Sequence, residues 1–117
     1  MNYIKNIPIT PSFSQDGMNG YSFILNNKDI SIDMIESYKG HERYCTNKAS
    51  SHIYYILEGN GRFKINGEIY DIESGDLVEI PKNTEFVYIG KMKLLLIMNP
   101  AFDEKNHIDG IVNDLYS

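Results

Sequence analysis

The chain has 117 residues, 42% hydrophobic and 23% charged, enough for one domain around one core and too few for a second. A net charge of −5, with no run of Lys or Arg, argues against a nucleic-acid partner. Leu94–Met98 is the longest apolar run, far short of a membrane span, and with Cys45 as the single cysteine no internal disulfide can form.

The opening MNYIKNIPITPSF carries neither a long apolar stretch nor a small-residue cleavage site, so no signal peptide is read there. Together with the lone cysteine this sets the expectation of a cytoplasmic protein. Residues 1–20, rich in Pro, Ser, Asn and Gly, read as an extended N-terminal arm. A short strand is expected at Tyr21–Leu25, then a turn over Asn26–Asp29. From Ile30 to Tyr38 the residues alternate, with Ile30, Ile32 and Met34 assigned to the core face and Ser31 and Asp33 to the other. Continuing that phase brings Glu36 and Tyr38 to the inner face, at a barrel mouth.

Residues 39–51 are polar and turn-rich, and read as a loop. His52–Glu58 is the most strand-like stretch, followed by a turn at Gly59-Asn60-Gly61 and a strand at Arg62–Ile65. Asn66-Gly67 then predicts a tight hairpin, because both central residues of a type I′ turn need positive φ. Ser74-Gly75-Asp76 is a further turn, Leu77–Ile80 a strand ended by Pro81, and Glu85–Ile89 and Lys93–Met98 the remaining strands. Many short strands at near-regular spacing indicate a sandwich or barrel. In the tail, Ile108, Ile111, Val112 and Leu115 fall at helical spacing, which predicts a short C-terminal helix despite Gly110. The division expected is an arm over 1–20, a barrel over 21–102 and a tail or short helix over 103–117.

Two stretches resemble the paired signatures of the cupin superfamily. The first runs from Gly40 to Gly59 (GHERYCTNKASSHIYYILEG) and the second from Gly75 to Gly90 (GDLVEIPKNTEFVYIG), with Asn83 at the second signature's inner glycine position. KMKLLLIMNPAFDE, after them, is similar to the closing strand and tail of small single-domain cupins. The resemblance implies an all-β fold, the cupin double-stranded β-helix or jelly-roll barrel. Function does not follow from it, because the superfamily hosts enzymes, sensors and storage proteins.

Cupin enzymes commonly hold a divalent metal with two His and a Glu from the first signature and a His from the second. Those positions read Thr46, Lys48, His52 and Phe86 here, or Cys45 and Asn47 for the first pair under the longer spacing. Under the first count only His52 is a competent ligand, Phe86 cannot coordinate under either, and Lys48 would repel a cation. The expectation is therefore no metal and no cofactor. His41, Cys45 and His52 are an N/S donor set that could hold zinc if their loop folded inward, but nothing in their spacing points that way.

The resemblance turns His52 into the barrel on the face of Tyr54 and Ile56. There it is either a core histidine hydrogen-bonded to a tyrosine or a backbone group, or a ligand-binding or acid–base group. Tyr54, Phe86 and Tyr88 are either core filler or a stacking wall for a flat or sugar-like ligand. Arg43 is either a solvated loop residue or a grip on an anion at the barrel mouth. The leading reading is a metal-independent cupin that holds a small organic, carbohydrate-like ligand with Tyr38, Arg43, His52, Tyr54, Phe86 and Tyr88. Two alternatives stay open: a metal-free sugar isomerase or epimerase using His52 and a tyrosine as acid and base, and a dimeric structural or sensing module. Cupins commonly pair by exchanging N-terminal strands, and Ile4, Ile7, Ile9 and Phe13 have no core of their own, so a homodimer is expected.

Overall fold

The computed structural model describes residues 2–116. Its strands are β1 (Phe13–Gln15), β2 (Met18–Ser22), β3 (Ser31–Ser37), β4 (Arg43–Asn47), β5 (Ser51–Ile65), β6 (Glu68–Glu73), β7 (Leu77–Ile80), β8 (Phe86–Ile89), β9 (Met92–Asn99) and β10 (His107–Val112). A single 3-10 turn, Glu104–Asn106, is the only helical element among the described residues, so none is long and apolar enough to cross a membrane. All strand pairs are antiparallel, and the sheet curls on itself in the order β1-β2-β3-β9-β5-β8-β4-β10, with β6 and β7 also on β5.

β5 is the strand that makes the curl. Its first half pairs with β9 and β7, and its second half with β6 and β8. The turn expected at Gly59-Asn60-Gly61 is instead continuous strand, bent where the register with β9 shifts between Ile56 and Glu58. Gly59 has φ +86°, and a Cβ there would lie 2.2 Å from the Lys91 carbonyl oxygen. The crossing of the two backbones therefore requires glycine.

The core follows from period-two alternation. Met92, Leu94, Leu96 and Met98 of β9 point inward, as do His52, Tyr54 and Ile56 of β5. Tyr54, Phe63, Phe86 and Tyr88 form an aromatic cluster with ring centroids 5.0–6.4 Å apart, mostly edge-on or offset. The Asn66-Gly67 hairpin is present, with both residues at positive φ. Asn83, standing where the family signature has glycine, holds φ +61°, a conformation asparagine tolerates better than most residues.

Four further sequence expectations are corrected. β2 begins at Met18, which is buried in the core, so the arm's second half is a β1–β2 hairpin rather than loose chain. Residues 43–47 are strand β4, not loop, held by β8 and β10. The phase of β3 is inverted: Asp33, Ile35 and Ser37 point inward, while Ile32, Met34 and Glu36 lie on the outer face. The tail is strand β10 paired with β4, not helix. Its apolar stripe is exposed at Ile108, Ile111 and Val112, and the strand stays because its backbone completes the β4 edge.

Candidate functional site

The inverted phase of β3 matters because its inner face borders a cavity of about 350 Å³. Apolar groups such as Phe13, Met18, Leu96, Met98 and Phe102 supply most of the wall. Set into it are the polar groups of Gln15, Asp33, His41, His52, Tyr54 and His107, so all three histidines of the chain meet here. A small volume, a largely apolar wall and a few convergent polar groups are the usual marks of a small-molecule site.

His41 is held at every polar atom. Gly40, before it, takes φ +140° at a point where a Cβ would lie 2.3 Å from the Tyr88 carbonyl oxygen. That close approach lets the His41 N–H donate to the Tyr88 carbonyl at 3.0 Å. The His41 carbonyl accepts from the buried Asn113 amide at 2.8 Å, and the same amide reaches the Tyr88 carbonyl at 3.1 Å. On the ring, Nδ1 lies 2.6 Å from the Arg43 carbonyl oxygen. A carbonyl only accepts, so Nδ1 carries the proton. Nε2 lies 3.4 Å from the Gln15 side-chain nitrogen. Burial drives the imidazole below its ordinary pKa, with the Arg43 carbonyl opposing. His41 is thus neutral near pH 7, protonated on Nδ1, with its lone pair on Nε2.

His52 sits differently. Its ring lies parallel to that of Tyr54 and edge-on to Phe86, at centroid distances of 6.0 and 4.8 Å. Neither ring nitrogen has a hydrogen-bond partner among the described residues, so the core histidine bonded to a tyrosine is not what forms. Burial pushes the imidazole down to about 4, with His107 and His41 adding repulsion. Being neutral, it still carries one donor and one acceptor for whatever enters the cavity.

Asp33 is a buried carboxyl whose pKa burial raises, with a hydrogen bond from Ser22 opposing. His107, at the start of β10, has its Nε2 2.9 Å from an Asp109 carboxylate oxygen. Cys45 also lines the cavity, but burial pushes its thiol up to about 12, which leaves no thiolate for nucleophilic work.

Of the expected site residues, His52 and Tyr54 line the cavity and the others do not. Tyr38 is exposed on the outer surface, where its hydroxyl donates to Glu36 at 3.0 Å, because the β3 phase is inverted. Arg43 is exposed and donates to the Gly110 carbonyl at 2.9 Å, pinning β10 rather than facing a ligand. Phe86 and Tyr88 are fully buried behind the cavity wall, and the Tyr88 hydroxyl has no partner among the described residues. Gln15, Asp33 and His107 were missed, and His41 was named only as a possible zinc donor. His-x-Asp over 107–109 was a visible signal, because in a strand these residues share a face.

The residues present do not fit a cupin metal. Of the four signature positions, only His52 offers a donor, the Phe86 ring packs against it, and Lys48 is exposed. No group of three or more His, Cys, Asp or Glu side chains among the described residues is arranged to hold an ion, and that includes His41, Cys45 and His52.

Comparison with known structures places the fold. The chain is similar to Pac13, a nucleoside dehydratase, with 25% identity and a TM-score of 0.82 over 92% of this chain and 86% of that one. A Streptomyces PAC13 variant with a histidine-to-glutamine substitution, solved with uridine, gives a TM-score of 0.89 at 24% identity, covering 96% and 93% of the two chains. KdgF from Halomonas shares the fold at 14% identity, with a TM-score of 0.71 over 82% and 90% of the chains. Among curated proteins, the Msm operon regulatory protein of Streptococcus mutans is 32% identical over 75 residues, 62% of this chain but 27% of that protein's length. The cupin domain pattern matches residues 39–98, more than half of the chain, and the protein belongs to the cupin family.

Proposed function

We propose that the barrel binds a small, uncharged, hydroxylated ring compound of nucleoside or sugar type in the cytosol, and removes water from it by proton transfer through His41. The observation that carries this reading is an anchored imidazole at the cavity wall whose Nδ1 faces the Arg43 carbonyl, so that the unprotonated nitrogen is Nε2, with only the long Gln15 contact on it. In an elimination, Nε2 would take a proton from carbon while the carbon–carbon double bond forms. The neighbouring hydroxyl would leave with that proton as water, returning the imidazole to neutral. His52 and Tyr54 would supply hydrogen bonds and a ring face to the ligand. Among the described residues no Lys or Arg lines the cavity, which favours uncharged ligands over phosphorylated ones. Similarity to a nucleoside dehydratase supports the reaction class. The same groups would also serve a sugar isomerase or epimerase.

A second reading, a sensing module that binds without turnover, is favoured by the 32% identity to a regulatory protein. The test is a thermal-shift screen of nucleosides, sugars and their oxidised forms, starting from uridine, followed by mass analysis of the mixture. Turnover by wild type, lost by roughly 100-fold or more in His41→Gln with binding retained, is the expected result. Binding with an unchanged ligand would favour the sensor, and no binding by any compound would end both readings.

We further propose a homodimer through the arm, where Tyr3, Ile4, Ile9 and Ile24 are exposed apolar groups. Light scattering should then report twice the 13.5 kDa chain mass. Deleting residues 1–11 should lower it, and a wild-type monomer would refute the dimer.

A further inference from the structure

We propose that Gln15 is a positioning residue for His41: its side-chain amide, fixed by the backbone of Glu42, selects the tautomer that leaves Nε2 bare. This rests on the reading of His41 as the base. Gln15 lies in β1, far from His41 in sequence, and is carried over it by the β1–β2 hairpin. The Glu42 N–H donates to the Gln15 side-chain oxygen at 3.0 Å. That contact decides which end of the amide is oxygen, because an N–H cannot face the NH₂ group productively. The NH₂ end is therefore the one facing His41 Nε2 at 3.4 Å, and it can only donate.

A protonated Nε2 would place N–H against N–H. Both the other tautomer and the imidazolium are disfavoured by the same contact, unless the amide turns over and gives up the Glu42 bond. The Arg43 carbonyl imposes the matching condition at Nδ1. Oxygen on one side and an NH₂ group on the other leave a single arrangement. At 3.4 Å the Gln15 contact is long, and a ligand group can displace it from the lone pair. Other groups bear on the ring as well: His107 and Asp109 of β10, Glu42 beside it, His52 within the same cavity, and the edge of Tyr88. Of these Glu42 and Asp109 favour the cation and His107 opposes it. None of them names a tautomer, as Gln15 does.

The experiment is ¹⁵N NMR of histidine-labelled, ligand-free protein across a pH titration, on wild type, Gln15→Leu and Gln15→Glu. Wild type should show His41 protonated on Nδ1 alone, with a midpoint below 6.5. Gln15→Glu offers an acceptor in place of the donor, so the midpoint should rise by about one pH unit or more as Nε2 gains a proton. Gln15→Leu should give a smaller rise and a mixture of tautomers. A midpoint and tautomer unchanged in both variants would overturn the proposal, because a merely structural glutamine would alter stability and leave the titration where it was. If the variants do not fold, wild type decides alone: a bare Nδ1 sinks the idea. Since no ligand is used, this outcome is separate from whether His41→Gln loses turnover.

Discussion

Two imidazoles share one cavity and are held in opposite ways. His41 is seated by polar contacts at its backbone N–H, its carbonyl and both ring nitrogens. His52 is seated by rings, with Tyr54 alongside and Phe86 at its edge, and its own nitrogens go unpaired among the described residues. Both are depressed in pKa by burial. The contrast separates orientation from recognition. A group that must present one lone pair in one direction needs polar neighbours to fix it. A group that answers to an incoming ligand needs its polar atoms left free and only its plane defined.

The seats can be removed one at a time. Phe86→Ala should have the largest effect, about 3–5 kcal/mol of stability, because it empties the centre of the aromatic cluster and leaves His52 without its edge contact. Chemical denaturation measures this, and a loss below about 1 kcal/mol would mean that the ring seat is not what holds His52.

Acid should reveal the next difference. With His52 near 4 in the folded chain and near 6.5 when unfolded, the unfolded state takes up the proton first as pH falls. Stability is therefore intact above about pH 6.5 and declines toward pH 4, by up to about 3 kcal/mol for this one group. His41 adds to the decline, and Asp33 acts in the other direction because its raised pKa favours the folded state on acidification. His52→Phe should flatten the acid side of the stability curve. An unchanged slope would show that His52 is solvated. At neutral pH the same variant should weaken ligand binding by about tenfold, the smallest of these effects, in keeping with one lost hydrogen bond.

Much of the barrel was legible because most strands divide core from water. β9 shows as a short continuous apolar run whose burial alternates, and Asn66-Gly67 marks the β5–β6 hairpin by backbone chemistry alone. β3 misled for the opposite reason: Asp33 points in as one of the few polar groups of a largely apolar cavity wall, Ser37 points in to donate to the Gly90 carbonyl, and Ile32 and Met34 lie on the outer face. A pattern rule that equates apolar with inward reverses such a strand. β4 was missed because its partners, β8 and β10, lie far along the chain and its own residues are polar at the ends. The tail misled through coincidence, since Ile108, Ile111 and Val112 fit a helical stripe but are exposed on a strand. Of the site, His52 and Tyr54 came from the family resemblance. Gln15 gave no signal and the His107-x-Asp109 pair only a local one, because only the closed fold brings β1 and β10 to one place.

That closure has a consequence for how the protein comes into being. The cavity takes Gln15 from β1 and His107 from β10, and β4 is edged by β10 only when residues 107–112 are present. During synthesis, a chain arrested before residue 107 would have most of its strands but neither a finished wall nor a covered β4 edge. Such a fragment would be inert toward any ligand and prone to stick to its neighbours through that edge. The cavity wall is therefore complete only once β10 has docked on β4.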